Sequence, residues 1–355
     1  MLGKNMIRRS SEQEDSKPMS KLSAISAMMP KRRALGDITN AYTDEVKDVS
    51  VVAKKPQFFQ QAAPIKMETV DSQTELQQNN SRPYMDRICD DVDARDTDNP
   101  LLVTCYVNEL YENFNELEKT FMVNPAYMAR QDYVNEKMRT ILVDWLVEVH
   151  LKFKMVPESL YMTVSIIDRY LQLKQVRRSK LQLVGVAALL IAAKYEEIYP
   201  PELRDLVYIT DRAYNKQEIL EMESEIVNTL QYKFTVPTIH SFLCRYLKAA
   251  HADRTMVQLA CYLTERTLQE YSLLRFLPST IAAASVLIAR KTLKRHPWSP
   301  TLVKYTNYDE DDLQACIDEM TATFNSTANQ QQQAVHRKYS SSKFGSVSKL
   351  ILTFN

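Results

Sequence analysis

An alanine-rich apolar segment that occurs twice, 96 residues apart, is the feature that most constrains the fold of this chain. Each copy is apolar around nearly its whole circumference, which predicts a helix buried on all sides by close-packed neighbours. A second match, with an offset of 97 residues, pairs residues 168–172 with residues 265–269. Two matches at nearly one period predict two copies of one helical unit. The alanine-rich segments are residues 181–194 and 277–290.

Glycine is scarce, and this scarcity excludes several classes of protein. The chain has four glycines, and only Gly185 lies in the region that the apolar pattern predicts to be folded. Phosphate-binding loops and nucleophile elbows need glycine for positive φ angles and close backbone approach. Tight hairpins need it as well. The sequence therefore predicts an all-α protein that binds no nucleotide.

Changes of composition divide the chain into five parts. Residues 1–83 bury too little apolar surface to offset the entropy of ordering, so we predict a disordered regulatory tail there. Residues 84–134 contain an N-terminal helix that ends near Phe121, and Pro237 separates the two repeats. The repeats are predicted at 135–233 and 234–326, followed by a polar extension at 327–355 with a frayed end. Helices of the first repeat are predicted to begin near Asn135 and to span about 158–173, 180–195, 202–209 and 215–231.

Net charge, cysteine spacing and hydropathy limit which partners this chain can have and where in the cell it can act. The formal net charge is +1, so no global field favours nucleic acid or a membrane surface. The five cysteines are scattered, which is typical of reduced structural thiols rather than of a disulfide or zinc framework. The longest uncharged run in the folded part, residues 181–193, is shorter than the roughly 20 residues that a bilayer requires. We therefore expect an intracellular, soluble protein.

The helix predicted to begin near Asn135 carries one apolar stripe with the 3.6-residue period. A core helix would show the same stripe, and the period alone favours that interpretation. The other side of the helix is predicted to be solvated; it carries Arg139, Thr140, Asp144 and Glu148. The stripe consists of Met138, Ile141, Leu142, Trp145, Leu146, Val149 and Phe153.

Four segments within residues 100–345 resemble successive signatures of the mitotic cyclins: residues 138–146, 167–171, 180–185 and 194–201. Residues 150–153 and 338–341 resemble the B-type branch more than the A-type branch. The resemblance implies tandem cyclin boxes, two five-helix bundles preceded by an N-terminal helix. This architecture agrees with the repeat. The implied function is that of a regulatory subunit, not an enzyme, which activates a mitotic cyclin-dependent kinase at the G2/M transition.

The resemblance also implies a kinase-binding surface, in which a lysine and a glutamate on separate helices anchor the mobile αC helix of the kinase. Without the family, an intramolecular salt bridge between these two residues is the favoured interpretation. For Leu110, ordinary packing of the N-terminal helix on the first box is nearly as good an explanation. The implied kinase-binding residues are Lys194, Glu223, Tyr195, Tyr106 and Leu110.

A second surface implied by the resemblance is a groove that binds Arg-x-Leu peptides of substrates. Apolar residues would take the leucine, and a carboxylate at the rim would take the arginine. B-type members use this groove more weakly, and a buried stripe with a solvated glutamate remains the alternative. The implied groove residues are Met138, Ile141, Leu142, Trp145, Glu148 and Gln182.

The tail carries a nine-residue match to a destruction box at residues 32–40. An extended peptide with a charged anchor and an apolar anchor three residues later suits recognition in an unfolded segment. The match implies ubiquitin-dependent destruction through the anaphase-promoting complex at mitotic exit, and we expect the protein in nucleus and cytoplasm. The matching residues are Arg32, Leu35, Ile38 and Asn40.

Two rival functions were weighed against the cyclin interpretation. A cyclin-fold nucleic-acid-binding module would need a basic second box and a metal-binding ribbon, and the sequence predicts neither. A helical enzyme would need metal-ligand or catalytic spacing among its histidines, and the five histidines show none. No cofactor and no metal are therefore expected.

Overall fold

Helices form the secondary structure of residues 89–296, 298–325 and 334–354, the part of the chain that the computed structural model describes, and no strand occurs there. The all-α prediction is confirmed. The predicted disordered tail, residues 1–83, lies outside the described residues. The helices are α1 (Val107–Phe121), α2 (Glu136–Phe153), α3 (Pro157–Leu173), α4 (Leu181–Glu196), α5 (Leu203–Ile209), α6 (Lys216–Thr229), α7 (Ile239–Ala249), α8 (Arg254–Thr267), α9 (Pro278–Thr292), α10 (Pro300–Thr306), α11 (Glu310–Asn325) and α12 (Ala334–Ser340).

The first box comprises α2 to α6 around the central helix α4. Within residues 181–193, every residue of α4 except Gln182 is buried, as the alanine-rich pattern predicted. Local sequence explains where the helices begin. The Asn135 side chain accepts a hydrogen bond from the Met138 amide at the start of α2, and Asn215 and Glu218 form a capping box at α6. The predicted helices of this box are confirmed.

The second box, α7 to α11, repeats the first. Helices α3, α4 and α5 begin at Pro157, Leu181 and Leu203, and α8, α9 and α10 begin 97 residues later in each case. Helix α9 is the buried counterpart of α4, with residues 281–290 all buried. The repeat predicted from two short matches is therefore a repeat of structure.

A buried arginine joins the two boxes. Arg139 on α2 forms a bidentate ion pair with Asp168 on α3, at 2.6 and 2.7 Å. Tyr127 donates to the same carboxylate at 2.9 Å, and Arg139 Nη1 donates to the Leu268 carbonyl after α8 at 3.0 Å. The prediction that Arg139 is solvated is wrong, because the second box covers this flank and supplies a carbonyl in place of water.

The N-terminal helix α1 is held by the second box. Tyr111 donates to the Ser241 carbonyl on α7 at 2.9 Å, and the buried Glu118 accepts hydrogen bonds from the Ser279 amide and hydroxyl at 3.0 and 2.7 Å. In the lead-in, the described residues 89–106 before α1, Asp93 pairs with Arg245 and Lys248 of α7. These two cations hold the pKa of Asp93 below its ordinary value although burial opposes them.

The C-terminal extension contains a docked helix where a frayed terminus was expected. Helix α12 packs against α2 and α8, and Val335 and Tyr339 are buried. Lys338 forms a buried ion pair with Glu265 of α8 at 2.6 Å, and Tyr339 donates to the same carboxylate at 2.7 Å. The prediction of fraying is therefore wrong from Ala334 onward, because the polar composition concealed two apolar anchors and a lysine with a buried partner.

Candidate functional site: two surfaces of the first box

Lys194, in the last turn of α4, meets Glu223 near the middle of α6 in the first box. Lys194 Nζ lies 2.6 Å from Glu223 Oε1, which joins the last turn of α4 to α6. The lysine side chain is 49% exposed and the glutamate 15%, so solvent reaches the pair mainly from the side of the lysine. A cation in the last turn of a helix is favoured by the helix dipole. The intramolecular salt bridge that the sequence favours without the family resemblance therefore exists, and its lysine is accessible to solvent.

Exposed apolar side chains follow Lys194 along the chain. Tyr195 is 49% exposed, and its hydroxyl lies 2.5 Å from Thr235 Oγ1. Ile198 and Tyr199 follow at 65% and 69% exposure. A monomeric soluble protein scatters single apolar side chains over its surface, whereas contiguous exposed ones mark interaction sites. We call this patch, with Lys194 and Glu223, the α4/α6 face.

Tyr106 and Leu110 lie at the start of α1 and are 64% and 38% exposed. The hydrogen bonds of Tyr111 and Glu118 attach α1 to the second box. Its last residue, Phe121, stacks on Arg169 of the first box, whose guanidinium carbon lies 5.1 Å from the ring centre. A partner that contacts these residues together with the α4/α6 face would therefore contact elements held by both boxes. Sequence reasoning could not place α1, because its apolar face would suit either box.

The stripe on α2 divides into core and surface residues. Ile141 is 51% exposed, Met138, Trp145 and Gln182 are partly buried, and Leu142 is 5% exposed. Leu142 packs on Gly185, where a Cβ atom would lie 2.8 Å from Leu142 Cδ1. Leu142 therefore belongs to the contact between α2 and α4. We call the strip formed by the exposed Ile141 and Glu148 and the partly buried Met138 and Trp145 the α2 groove.

The polar flank of α2 is tied to the C-terminal helix. Arg337 of α12 forms an ion pair with Glu148, and the Ala334 amide donates to Asp144 Oδ1 at 2.9 Å. Gln269 donates to the same Asp144 oxygen at 2.7 Å. Burial raises the pKa of Asp144 above its ordinary value despite these hydrogen bonds. Sequence analysis missed Arg337, although its neighbours at 338–341 belong to a B-type signature.

The destruction-box residues 32, 35, 38 and 40 lie outside the described residues. In the described part, no cluster of histidine, cysteine and acidic side chains could hold a metal ion. No helix there is long and apolar enough to span a bilayer. Burial raises the pKa of the Cys261 and Cys316 thiols to about 12, which keeps them protonated near neutral pH.

Comparison with known proteins identifies the class to which this fold and these surfaces belong. The family described as "Cyclin, N-terminal domain" matches residues 109–235, and "Cyclin, C-terminal domain" matches residues 237–351. The chain is a member of the cyclin family. The viral cyclin of herpesvirus saimiri has the same fold, with a TM-score of 0.53 and 22% identity over 59% of this chain and 96% of that one.

The relatives place the chain within the family. It is 43% identical to Cyclin-B2-1 of Oryza sativa subsp. japonica over 86% of this chain and 74% of that protein. It is 46% identical to G2/mitotic-specific cyclin-B of Spisula solidissima over 73% of this chain and 60% of that protein. The resemblance to B-type mitotic cyclins is thereby confirmed, and the two boxes are cyclin boxes.

Proposed function

We propose that this cyclin is the regulatory subunit of a mitotic cyclin-dependent kinase, which it binds through the α4/α6 face and activates. The observation that carries the proposal is the accessible Lys194–Glu223 pair beside exposed apolar side chains. The mitotic names of relatives that are 43–46% identical support it. All catalytic groups would belong to the kinase.

The pair can bind a partner without being broken. A lysine ammonium has three donors and a carboxylate has about four acceptor sites, and the mutual contact joins Nζ to a single carboxylate oxygen, Oε1. The other donors and acceptors can therefore bond to the backbone and side chains of a kinase helix, while Tyr195 and Ile198 supply apolar contact. Docking would select the kinase state in which its αC helix is swung in and its own Lys–Glu pair forms around ATP.

The first test separates binding from folding. Lys194→Ala and Glu223→Ala should each weaken kinase binding at least tenfold, about 1.4 kcal/mol, because each leaves an interfacial polar group unpaired. Thermal melting should hardly change, since a surface ion pair contributes about 0–1 kcal/mol to stability. Binding is measured by titration against a monomeric cyclin-dependent kinase, and activation by phosphorylation of histone H1.

A matched control lies on the same two helices. Lys180 pairs with Glu218 at 2.9 Å and joins the starts of α4 and α6, at the end opposite to Lys194. Alanine at both positions should leave kinase binding unchanged. Full binding by the Lys194→Ala/Glu223→Ala double variant would rule out this face.

We further propose that the α2 groove docks substrate peptides with an apolar anchor, and that the tail directs destruction through the anaphase-promoting complex. The half-exposed Ile141 beside the partly buried Trp145 supports the docking function. The motif at residues 32–40 supports destruction. Action in both nucleus and cytoplasm follows from the proposed mitotic role.

A further inference from the structure

Arg337 forms an ion pair with Glu148, the carboxylate to which the proposed docking function assigns the arginine of a peptide. We propose that Arg337 fills the arginine subsite of the α2 groove, so that this cyclin selects docking peptides by their apolar anchor and not by an arginine. The inference rests on the proposed docking function of the groove, and it assigns to Arg337 the role of a specificity-determining residue.

Helix α12 cannot simply move aside, because both flanks of Arg337 are anchored. Val335 is 1% exposed and Tyr339 is 2% exposed. Lys338, the next residue, is held by the buried Glu265 with nitrogen–oxygen distances of 2.6 and 2.8 Å. A buried ion pair that loses one partner costs several kcal/mol. The backbone at position 337 is therefore held beside α2 by the fold itself.

Two neighbouring polar contacts, a hydrogen bond and an ion pair, join α12 to α2. Asp144 and Glu148 lie one turn apart on the same face of α2. Asp144 accepts from the Ala334 amide at 2.9 Å, and Glu148 pairs with Arg337, three residues further along α12. Both pairs of contacting residues are about one helical turn apart, so the two contacts together fix the register of α12 on α2. Arg337 is thus directed at Glu148 and not merely near it.

Competition for one carboxylate explains the expected selectivity. The side chains of Glu148 and Arg337 are 53% and 57% exposed, so a peptide can reach both. A peptide arginine would have to displace Arg337 or lie beside it, and like charges at contact distance repel. The peptide arginine therefore adds little to the binding free energy. A leucine that packs on the exposed Ile141 still contributes the full free energy of burying its apolar surface. A peptide carboxylate would meet the guanidinium of Arg337 instead.

The experiment measures peptide binding to the full chain by fluorescence anisotropy. The three probes are one peptide with Arg-x-Leu, Ala-x-Leu or Glu-x-Leu at the same place. The wild-type chain should bind the arginine and alanine peptides within about twofold of each other. Arg337→Ala should bind the arginine peptide about fivefold tighter than the alanine peptide, the upper end for an exposed ion pair. Adding Glu148→Ala to this variant, or raising the salt concentration to about 1 M, should abolish that preference.

A control and two contrary results complete the test. Arg204 forms a similarly exposed pair with Glu202 ahead of α5, so Arg204→Ala should leave all three affinities unchanged. A fivefold arginine preference in the wild type that Arg337→Ala does not increase would overturn the role of Arg337 and leave the groove standing. Absence of binding by every probe to both chains, with kinase activation intact, would reject the docking groove and the inference with it.

Discussion

His150 shows how one buried residue links the stability of this cyclin to pH. It is 3% exposed, and its Nε2 donates to the Val156 carbonyl at 2.8 Å. Nδ1 has no hydrogen-bond partner among the described residues. Burial, with a contribution from the nearby Lys338, lowers the pKa of the imidazole from 6.5 to about 4. The folded protein therefore holds this histidine neutral at pH values where the unfolded chain binds a proton.

The first residue-scale expectation is a loss of stability in weak acid. A depressed pKa in the folded state gives a contribution that is complete above pH 6.5 and is lost as the pH falls toward 4. For His150 the difference corresponds to about 3 kcal/mol in the free energy of unfolding. His150→Gln keeps a donor for the Val156 carbonyl but binds no proton. Its stability should fall less between pH 7 and pH 4.5 in urea titrations.

The exposed His336 provides the matched control, since His336→Gln should leave the pH dependence of the wild type in place. A parallel loss of stability in wild type and His150→Gln would assign the acid sensitivity to the carboxylates. Among these, Asp93 has a lowered pKa through Arg245 and Lys248, and it contributes in the same direction at lower pH.

At the scale of elements, α12 completes the second box although it lies beyond it in sequence. Glu265 on α8 is 2% exposed; Lys338 balances its charge, and the Tyr339 hydroxyl donates a hydrogen bond to it. A carboxylate buried this deeply needs its partners, because desolvation of a lone charge is costly. The seven residues of α12 are therefore part of the folded domain.

Truncation after Gln333 tests the role of α12. Removal of α12 takes away both partners of Glu265 and the buried side chains of Val335 and Tyr339, so the free energy of unfolding should fall by about 3–5 kcal/mol. Circular dichroism during thermal unfolding measures the loss. Truncation after Leu350, which spares α12, should cost much less. Introducing Glu265→Gln into the shortened chain should restore part of the stability, and a shortened chain that melts like the full one would contradict this account.

At the scale of the whole molecule, the two boxes have different roles: one carries the proposed binding surfaces, and the other holds the flanking segments. The first box carries the α4/α6 face and the α2 groove. The second box holds α1, the lead-in and α12, and it reaches the first box through the Leu268 carbonyl that Arg139 binds. Tyr106 and Leu110 are thus held by the second box while the other proposed kinase contacts belong to the first.

The last prediction concerns the tail as a separable signal. Residues 1–83, fused to an inert globular reporter, should cause ubiquitylation and loss of the reporter as cells leave mitosis. Arg32→Ala with Leu35→Ala removes the charged and apolar anchors together, so this fusion should persist. Time-lapse fluorescence follows the reporter, and Ile7→Ala with Arg8→Ala is the matched control. If the Arg32/Leu35 variant vanishes on the schedule of the unchanged fusion, another degradation signal is responsible.

The sequence by itself determined the helices, their repeat and the family. Periodicity and caps are local, so Asn135, Pro157 and Asn215 mark helix starts without any tertiary information. The alanine-rich segments were predicted as central helices because no polar flank exists that could face solvent. The family resemblance then indicated Lys194 and Glu223, whose role in kinase binding stays a prediction.

Only the tertiary structure decided which polar side chains are covered, and by what. Arg139 and Glu148 share the polar flank of α2, yet one is enclosed by the second box and the other faces solvent beside Arg337. The Leu268 carbonyl that Arg139 binds and the guanidinium of Arg337 lie 129 and 189 residues away along the chain, so no local pattern contains them. Helical period tells which residues share a face. What packs against that face depends on where distant segments find partners for their own charges. Lys338, for example, pairs with the buried Glu265 and thereby holds α12 beside α2.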